Sequence, residues 1–261
     1  MGALPPRLGL RDDSSDRWAK FCACIAELNA SAPTGTTYKV LFIGRHGQGY
    51  HNVGKLKYGA ELWNDVISRT NGDAETIWGP DPLLTSVGIS QAEAARAVWL
   101  AEVPHDIPVP QRCYSSPLHR ALDTWRLIFG ESDLLWPAAR QVTVLEDLRE
   151  TYGEHTCDKR NPLSVIRRTF PPPQFLYEEP FSEEDVLHQD HEREAEQHVN
   201  ERGRAVLDRI WREPDDIYIS ITAHGGIING LLQAMGHQHY SVPTGGIMPL
   251  VVKCEALIAS P

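Results

Sequence analysis

Short, largely apolar runs recur along the chain between polar segments. They are four to seven residues long and are bounded by turn residues, which is typical of buried β-strands. We predict strands at 38–43, 112–115, 142–145, 216–222 and 249–255.

Amphipathic stretches with apolar residues at helical spacing lie between these runs. We predict helices at 17–28, at about 90–102, from Pro117 to Ile128, at 186–212 as one charged helix or two, and directly after AHGG at 223–226. Strands that alternate with helices predict the α/β class, with helices on both faces of the sheet.

Two regions lack a clear period in their hydrophobic pattern. Residues 1–15 are proline-rich and then polar, which predicts a flexible arm. Residues 152–185 are irregular and contain PPPQ and EEP, which interrupt regular structure. We therefore predict a lid or substrate insertion at about 153–200, within a single domain that spans 1–261.

Composition fits a globular domain and narrows the choice of partners. The chain has 261 residues, of which 41% are hydrophobic and 23% charged, enough for a sizeable core. A formal net charge of -10 speaks against a nucleic-acid partner, because phosphate neutralisation supplies much of that affinity. An acidic protein can still hold a locally positive pocket, so a small phosphorylated substrate remains compatible.

Cysteine usage and hydropathy bear on location. The five cysteines show no CxxC spacing and are typical of reduced thiols in an intracellular protein. No apolar run approaches the ~20 residues that span a bilayer, and the first residues lack an apolar signal segment. We expect a cytoplasmic protein with no membrane partner, and the oligomeric state is open.

Three polar signals follow predicted strands: the Arg45-His46 pair, Arg120 in SSPLHRA, and His224 in AHGG. Each has an ordinary explanation alone, namely a chance triplet, an exposed helix residue and a helix cap. The ligand crevice of an open α/β sheet lies at the carboxyl ends of its strands. We therefore expect these residues to converge at that edge.

Two arginines and two histidines at one edge suit a dianionic phosphoryl group. The planar guanidinium binds phosphate oxygens through two hydrogen bonds. Backbone N–H groups at the helix start after Gly225 add donors and a favourable dipole. A neutral imidazole among such cations can attack phosphorus and form a phosphohistidine that water cleaves, a chemistry that requires no metal or cofactor.

Five motifs are similar, in order, to those of the histidine phosphatase superfamily, also called the phosphoglycerate mutase-like fold. They are RHG with a later Asn (45–52), DPLLTSVGISQA (81–92), SSPLHRALDT (115–124), LRETYGEHTCDKR (148–160) and AHGG (223–226). The resemblance covers most of 38–254. It implies a three-layer α/β/α sandwich with a mostly parallel central sheet, a small phosphorylated substrate, and neither metal nor cofactor.

The resemblance also implies roles for single residues. His46 resembles the nucleophile, and Glu150 falls where the family has its general acid. The expected pocket and substrate-binding positions are Arg45, Arg120, His224, Asn52, Gly225, Gln48 and Arg160. Negative charge beside a carboxyl raises its pKa, which suits a general acid. Glu154 is the main rival, and a surface helix carboxylate is the ordinary alternative for Glu150.

Some positions depart from the family pattern. Mutases of the family carry an acidic residue after RHG and a Trp before the Asn, where this chain has Gln48 and His51. Ala223 stands where Ser or Thr often precedes the second histidine, which removes one hydroxyl contact. The RHGQGYHNV and HTCDKR segments resemble fungal and plant phosphatase-like members, which favours hydrolysis.

The 153–200 region is expected to select the substrate. Its basic residues either face an anionic leaving group or form a solvated loop; they are Lys159, Arg160, Arg167 and Arg168. Its aromatic residues and Tyr50 either line a pocket for a larger organic phosphate or, more simply, form lid core. His188 and His191 have the i, i+3 spacing of a metal pair. An exposed helical face explains them better, so we expect no metal site.

The leading functional hypothesis is a metal-independent phosphatase that hydrolyses a small organic phosphate ester through a phosphohistidine on His46. Phosphoglycerate mutase-type phosphotransfer is the first alternative, and a requirement for a bisphosphate primer would support it. A repurposed pocket that acts on a diphosphate or a specialised metabolite is another. A non-catalytic binding module is poorly motivated, because the full set of chemical groups is present.

Overall fold

A computed structural model of the chain describes residues 4–130, 132–135 and 141–255. Its centre is a six-stranded sheet with the order β4-β3-β2-β5-β1-β6. The strands are β1 (Thr36–Arg45), β2 (Arg112–Ser115), β3 (Val142–Val144), β4 (Phe175–Tyr177), β5 (Tyr218–Ala223) and β6 (Ile247–Glu255). All pairings are parallel except that of β6 with β1, so the sheet is mostly parallel.

Helices cover both faces of this sheet. They are α1 (Arg17–Ala30), α2 (Tyr50–Tyr58), α3 (Ala60–Asp65), α4 (Ser86–Glu102), α5 (His119–Trp125), α6 (Leu163–Thr169), α7 (Glu196–Trp211) and α8 (Gly225–Ala234). Helix α5 continues as one π-helical turn at Arg126–Gly130.

Each face of the sheet has its own hydrophobic core. On one face, Phe42 packs with Trp99 and Trp125, which belong to the α4 and α5 side. On the other face, Ile43 and other β1 and β5 side chains pack against α7 and α8. Alternate residues of a strand point to opposite faces, so neighbours such as Phe42 and Ile43 enter different cores. The predicted three-layer α/β/α sandwich is confirmed.

Most predicted strands and helices appear close to the expected positions, but two regions differ. The predicted helix at 186–212 begins only at Glu196, and the residues before it are irregular apart from a turn at 190–191. The irregular region contains helix α6 and the edge strand β4. Strand β4 has only three residues, too few to show a period of two. Helix α2 was not predicted either, because it begins within the glycine-rich RHGQGYHN segment.

The residues near the start of the described chain contact the domain. Pro6–Gly9 form a 3₁₀ turn, and Leu8 is 1% exposed within the core on the α1 and α4 face. The expectation that 1–15 is a flexible arm concerns motion and stays a prediction. No helix of the described residues is long and apolar enough to cross a membrane.

Helices α7 and α8 touch at glycines. A Cβ on Gly203 would lie 2.6 Å from the carbonyl carbon of Gly230 and 2.8 Å from its oxygen. Alanine is a better helix former than glycine by about 1 kcal/mol, but overpacking against backbone costs about 1–3 kcal/mol. Because the contacts at 2.6–2.8 Å are with backbone atoms, we expect the upper end of this cost, so Gly203→Ala should lower the free energy of unfolding by about 2 kcal/mol, measured by denaturant titration.

Arg204→Ala is the matched control for this change. Its side chain is 62% exposed and pairs only with Asp208, so its loss should change stability by less than about 0.5 kcal/mol. Equal stability of the Gly203→Ala variant and the wild type would show that α7 and α8 can separate without cost.

Candidate active site

The candidate site lies where three parallel strands end. Arg45 at the end of β1 pairs with Ala223 at the end of β5, and Ser115 of β2 pairs with Thr222. The residues that follow these strands are therefore brought to one edge, where open α/β sheets have their ligand crevice. The structure thus brings His46 and His224 together, as the sequence predicts, with ring centroids 4.9 Å apart.

His46 is 1% exposed, and its Nδ1 lies 2.6 Å from the carbonyl oxygen of Gly47. A carbonyl oxygen only accepts hydrogen bonds, so Nδ1 carries the proton and Nε2 keeps its lone pair. Burial lowers the pKa of His46 well below its usual value, and the charges of Arg120 and Arg45 lower it further. The imidazole is therefore neutral, with a free nitrogen at Nε2.

The loop that carries His46 packs closely against helix α4. A Cβ on Gly47 would lie 2.4 Å from the backbone oxygen of Gly88, so neither position has room for a side chain. The Gly47 N–H also donates to the Thr124 hydroxyl at 2.9 Å. These contacts fix the backbone from which the His46 ring projects.

His224 is fully buried at the start of α8. Its Nε2 lies 2.7 Å from the Ser116 hydroxyl, while its Nδ1 has no hydrogen-bond partner among the described residues. The backbone N–H of Leu118 also donates to the Ser116 oxygen, at 3.3 Å. The hydroxyl contact that Ala223 cannot supply is thus supplied by Ser116. Sequence reasoning did not single out Ser116, although it lies in the SSPLHRALDT motif.

The two predicted pocket arginines are both held in place. Arg120 is 0% exposed, and its Nη1 and Nη2 donate to the Cys157 carbonyl at 2.7 Å and to Asp158 at 2.9 Å. Arg45 donates from Nη1 to the Val242 carbonyl at 3.0 Å. The Nε atoms of both arginines are buried and have no partner among the described residues.

Glu150 lies at the N-terminus of α8. Its Oε1 accepts hydrogen bonds from the backbone N–H groups of Gly226 and Thr151, each at 2.8 Å. Its carboxylate and the guanidinium of Arg45 are close enough for the carboxylate to raise the pKa of that arginine, against the larger lowering caused by burial. The rival Glu154 instead pairs with Arg69 at 3.1 Å. The structure therefore brings Glu150 to the pocket by a network that Glu154 does not share.

Of the other predicted binding residues, Gly225 adjoins the pocket, whereas the Asn52 and Gln48 side chains bond to other protein groups. Gly225 begins α8, and a Cβ there would lie 3.8 Å from Cζ of Arg45, so this glycine adjoins the pocket. Asn52 caps α2 by accepting a hydrogen bond from the Gly49 N–H at 2.9 Å. The Gln48 side chain accepts from the Thr85 hydroxyl at 2.8 Å.

Arg160 is not brought into this set. It is 3% exposed, pairs with Glu146 at 2.7 Å and donates to the carbonyls of Ser182 and Glu184, each at 2.9 Å. Its guanidinium also lies over the ring of Phe181. Through these contacts Arg160 fixes the backbone at 182–184. Its position in the HTCDKR motif does not indicate this role.

A third arginine near the pocket comes from the predicted lid. Arg193 donates to Asp158 at 3.0 Å, so one buried carboxylate binds both Arg193 and Arg120. Burial alone would lower the pKa of Arg193, but the carboxylates of Asp158 and Glu150 raise it. Nothing in the local sequence indicates this role for Arg193, because it lies in an acidic stretch for which the pattern predicts a charged helix.

The metal-binding alternatives do not fit their surroundings. His188 lies in an irregular segment and His191 in a turn, neither on a helix, and the His188 side chain is 3% exposed, not on a solvated face as predicted. The ligand atoms of His155, Cys157 and Asp158 lie within 4.8 Å of one another. Two arginines already bind that aspartate, and their charges oppose a cation.

The fold and the site together define the class of this protein. The sequence of the chain matches the family model of the histidine phosphatase superfamily (branch 1) over residues 41–244, so the chain belongs to this superfamily. Membership supports a phosphatase or phosphotransfer activity, and the predicted family is confirmed.

Particular relatives carry mutase names. The chain is 36% identical to a "probable phosphoglycerate mutase" of Arthroderma benhamiae, over 94% of this chain and 72% of that protein. It is 31% identical to the "probable phosphoglycerate mutase PMU1" of Saccharomyces cerevisiae, over 87% of this chain and 83% of that protein. The solved structure of a mycobacterial glucosyl-3-phosphoglycerate phosphatase covers 82% of this chain and 90% of its own, at 22% identity and a TM-score of 0.49.

Proposed function

We propose that this protein is a metal-independent phosphatase that hydrolyses a small organic phosphate ester through a phosphohistidine on His46. The observation that carries the proposal is the state of His46, a neutral ring whose Nε2 has no partner among the described residues and which lies beside Arg45 and the buried Arg120. A neutral imidazole nitrogen is a competent nucleophile at phosphorus, and the arginines compensate the charge of the phosphoryl group.

In the first step, Nε2 of His46 forms a bond to phosphorus and the bond to the ester oxygen breaks. The bonding electrons leave with that oxygen, which must gain a proton to depart as an alcohol. Glu150 is the proposed donor: it enters the step protonated, and its carboxyl reaches the pocket at the N-terminus of α8 beside Arg45. The products of the step are the alcohol, ionised Glu150 and the phosphohistidine.

In the second step, water attacks the phosphohistidine. Ionised Glu150 takes a proton from the water while the new oxygen–phosphorus bond forms and the bond to Nε2 breaks. Inorganic phosphate leaves, and both His46 and Glu150 return to their starting states. One carboxyl group thus acts first as an acid and then as a base.

The pocket stabilises the phosphoryl group during transfer. Arg45 and Arg120 have buried Nε–H groups that have no partner among the described residues. These atoms and the N-terminus of α8 would bind the equatorial phosphoryl oxygens, where negative charge accumulates. Because the contacts that hold these groups exist before substrate arrives, little reorganisation is needed in the reaction.

Phosphotransfer between hydroxyl groups is the second candidate function, and the mutase names of the relatives favour it. In a mutase the phosphohistidine would return its group to a hydroxyl of the bound intermediate, not to water. The Gln48 and His51 side chains at positions where mutases of the family carry acidic and Trp residues favour hydrolysis.

Turnover of an aryl phosphate with excess chelator tests the proposal. We expect steady phosphate release that chelator does not reduce and that needs no bisphosphate primer, because arginines and not a metal compensate the charge. Activity only with a bisphosphate primer, without net phosphate release, would favour the mutase. A rate abolished by chelator and restored by a divalent ion would contradict the metal-independent mechanism.

A further inference from the structure

His51 is a half-buried imidazole beside the pocket that the mechanism above does not use. It is the second residue of α2, directly before Asn52. Its ring centroid lies 5.3 Å from that of His46, as close as a packed pair of rings. Three imidazoles, those of His46, His51 and His224, therefore meet at the edge of the sheet.

Backbone packing sets the orientation of the His51 ring. A Cβ on Gly49 would lie 2.8 Å from both Nδ1 and Cε1 of His51, so this edge of the ring faces the Gly49 backbone. The Asn52 side chain holds the Gly49 N–H at 2.9 Å and fixes the turn. Any larger residue at position 49 would displace the ring.

The surroundings of His51 decide where its proton lies. The ring is neutral, because burial lowers its pKa well below the usual value and Arg120, His46, Arg45 and Lys55 lower it further. Its Nδ1 is buried without a partner among the described residues. A buried N–H without an acceptor is the less tolerated state, so the proton belongs on Nε2. Nε2 is thus a hydrogen-bond donor.

We propose that His51 is a further phosphoryl-binding residue, and that its Nε2–H donates a hydrogen bond to a phosphoryl oxygen of the substrate. This inference rests on the proposed function of the pocket. The ring lies among the cations that bind the phosphoryl group, and no described residue accepts a hydrogen bond from Nε2. The ligand is therefore the acceptor that the site lacks.

Amide substitutions distinguish the two ring nitrogens. The amide nitrogen of Gln extends to about the place of Nε2, whereas that of Asn reaches only the place of Nδ1. We expect His51→Phe and His51→Asn to raise the inhibition constant of inorganic phosphate and to lower kcat/KM for an aryl phosphate by about 10- to 100-fold. His51→Gln should stay within about threefold of the wild type.

Lys57→Gln is the control for disturbance of the same helix. Lys57 pairs with Asp73 and Glu75, each at 2.8 Å, and that network lies outside the pocket. This variant should bind phosphate as the wild type does. Thermal unfolding identifies any variant that fails to fold, and the comparison of the Gln and Asn variants remains if the Phe variant is unstable.

The pH profile separates binding from a role as a base. The kcat/KM profile of His51→Gln should keep the shape of the wild-type profile, because a neutral donor does not titrate in the assay range. Loss of an ionisation from that profile would overturn the donor role, as would an unchanged inhibition constant in His51→Phe or equal recovery by Asn. A wild type that neither binds inorganic phosphate nor hydrolyses an aryl phosphate would instead overturn the proposed function itself.

Discussion

Replacement of His46 by alanine is expected to lower kcat for an aryl phosphate by about 10⁴-fold or more, while the protein remains folded. Nε2 of His46 is the only protein atom that bonds to phosphorus in the proposed mechanism, so no neighbouring group takes its place. The variant should still bind inorganic phosphate, because Arg45 and Arg120 are held by contacts that do not involve His46. Phosphate release and circular dichroism measure the two expectations.

Covalent labelling identifies the nucleophile among the pocket histidines. The protein reacts briefly with an aryl phosphate labelled in its phosphoryl group and is then denatured without acid. We expect the label on the wild-type protein and none on His46→Ala. His224→Ala is the matched control, because it removes a neighbouring ring and leaves Nε2 of His46 available. Label retained by His46→Ala, or lost only in His224→Ala, would assign the nucleophile to another residue.

The parts of the fold that the sequence predicts are those with local signals. Strand β1 contains the apolar run VLFIG and ends at the first residue of the RHG triplet, and β5 ends at the first residue of AHGG. Parallel pairing then places both ends at one edge, so the meeting of His46 and His224 follows from topology and two local patterns. Helix α8 is predicted for the same reason, since its apolar residues follow two glycines directly.

Other parts depend on contacts between distant segments. Arg160 and Arg193 are both basic residues of the predicted lid, yet one holds backbone carbonyls and the other binds Asp158 beside the pocket. Nothing in their local sequence separates these outcomes. The boundary of α7 shows the same limit, because the charged residues before Glu196 fit a solvated helix equally well.

The segment that follows Glu150 packs against the candidate pocket and holds one of its arginines. Asp158 binds Arg120 and Arg193 at 2.9 Å and 3.0 Å, and burial would raise the pKa of this aspartate if the two arginines did not lower it. Arg202 of α7 donates to the backbone carbonyl of Arg149, next to Glu150, at 3.0 Å. Arg120 is thus positioned by the region that is predicted to select the substrate, and the backbone beside Glu150 by a residue just after that region.

Glu150→Gln is expected to slow the hydrolysis of alkyl phosphates by about 10²- to 10⁴-fold, and that of an activated aryl phosphate much less. Glutamine can still accept the hydrogen bonds of Gly226 and Thr151 through its amide oxygen, so the site should keep its shape. What it lacks is the proton that an alkoxide needs on departure, whereas a phenolate with a low pKa leaves without one. The measurement is the slope of log kcat/KM against the pKa of the leaving alcohol, which should become steeper.

Glu154→Gln provides the control, since Glu154 is a neighbouring carboxylate that pairs with Arg69 and shares none of the α8 contacts. Its slope should match that of the wild type, because the loss of a partly exposed ion pair has little effect on a distant proton transfer. Equal losses for alkyl and aryl substrates in Glu150→Gln would mean that Glu150 orders the pocket and does not protonate the leaving oxygen. A steeper slope in Glu154→Gln would transfer the acid role to that residue.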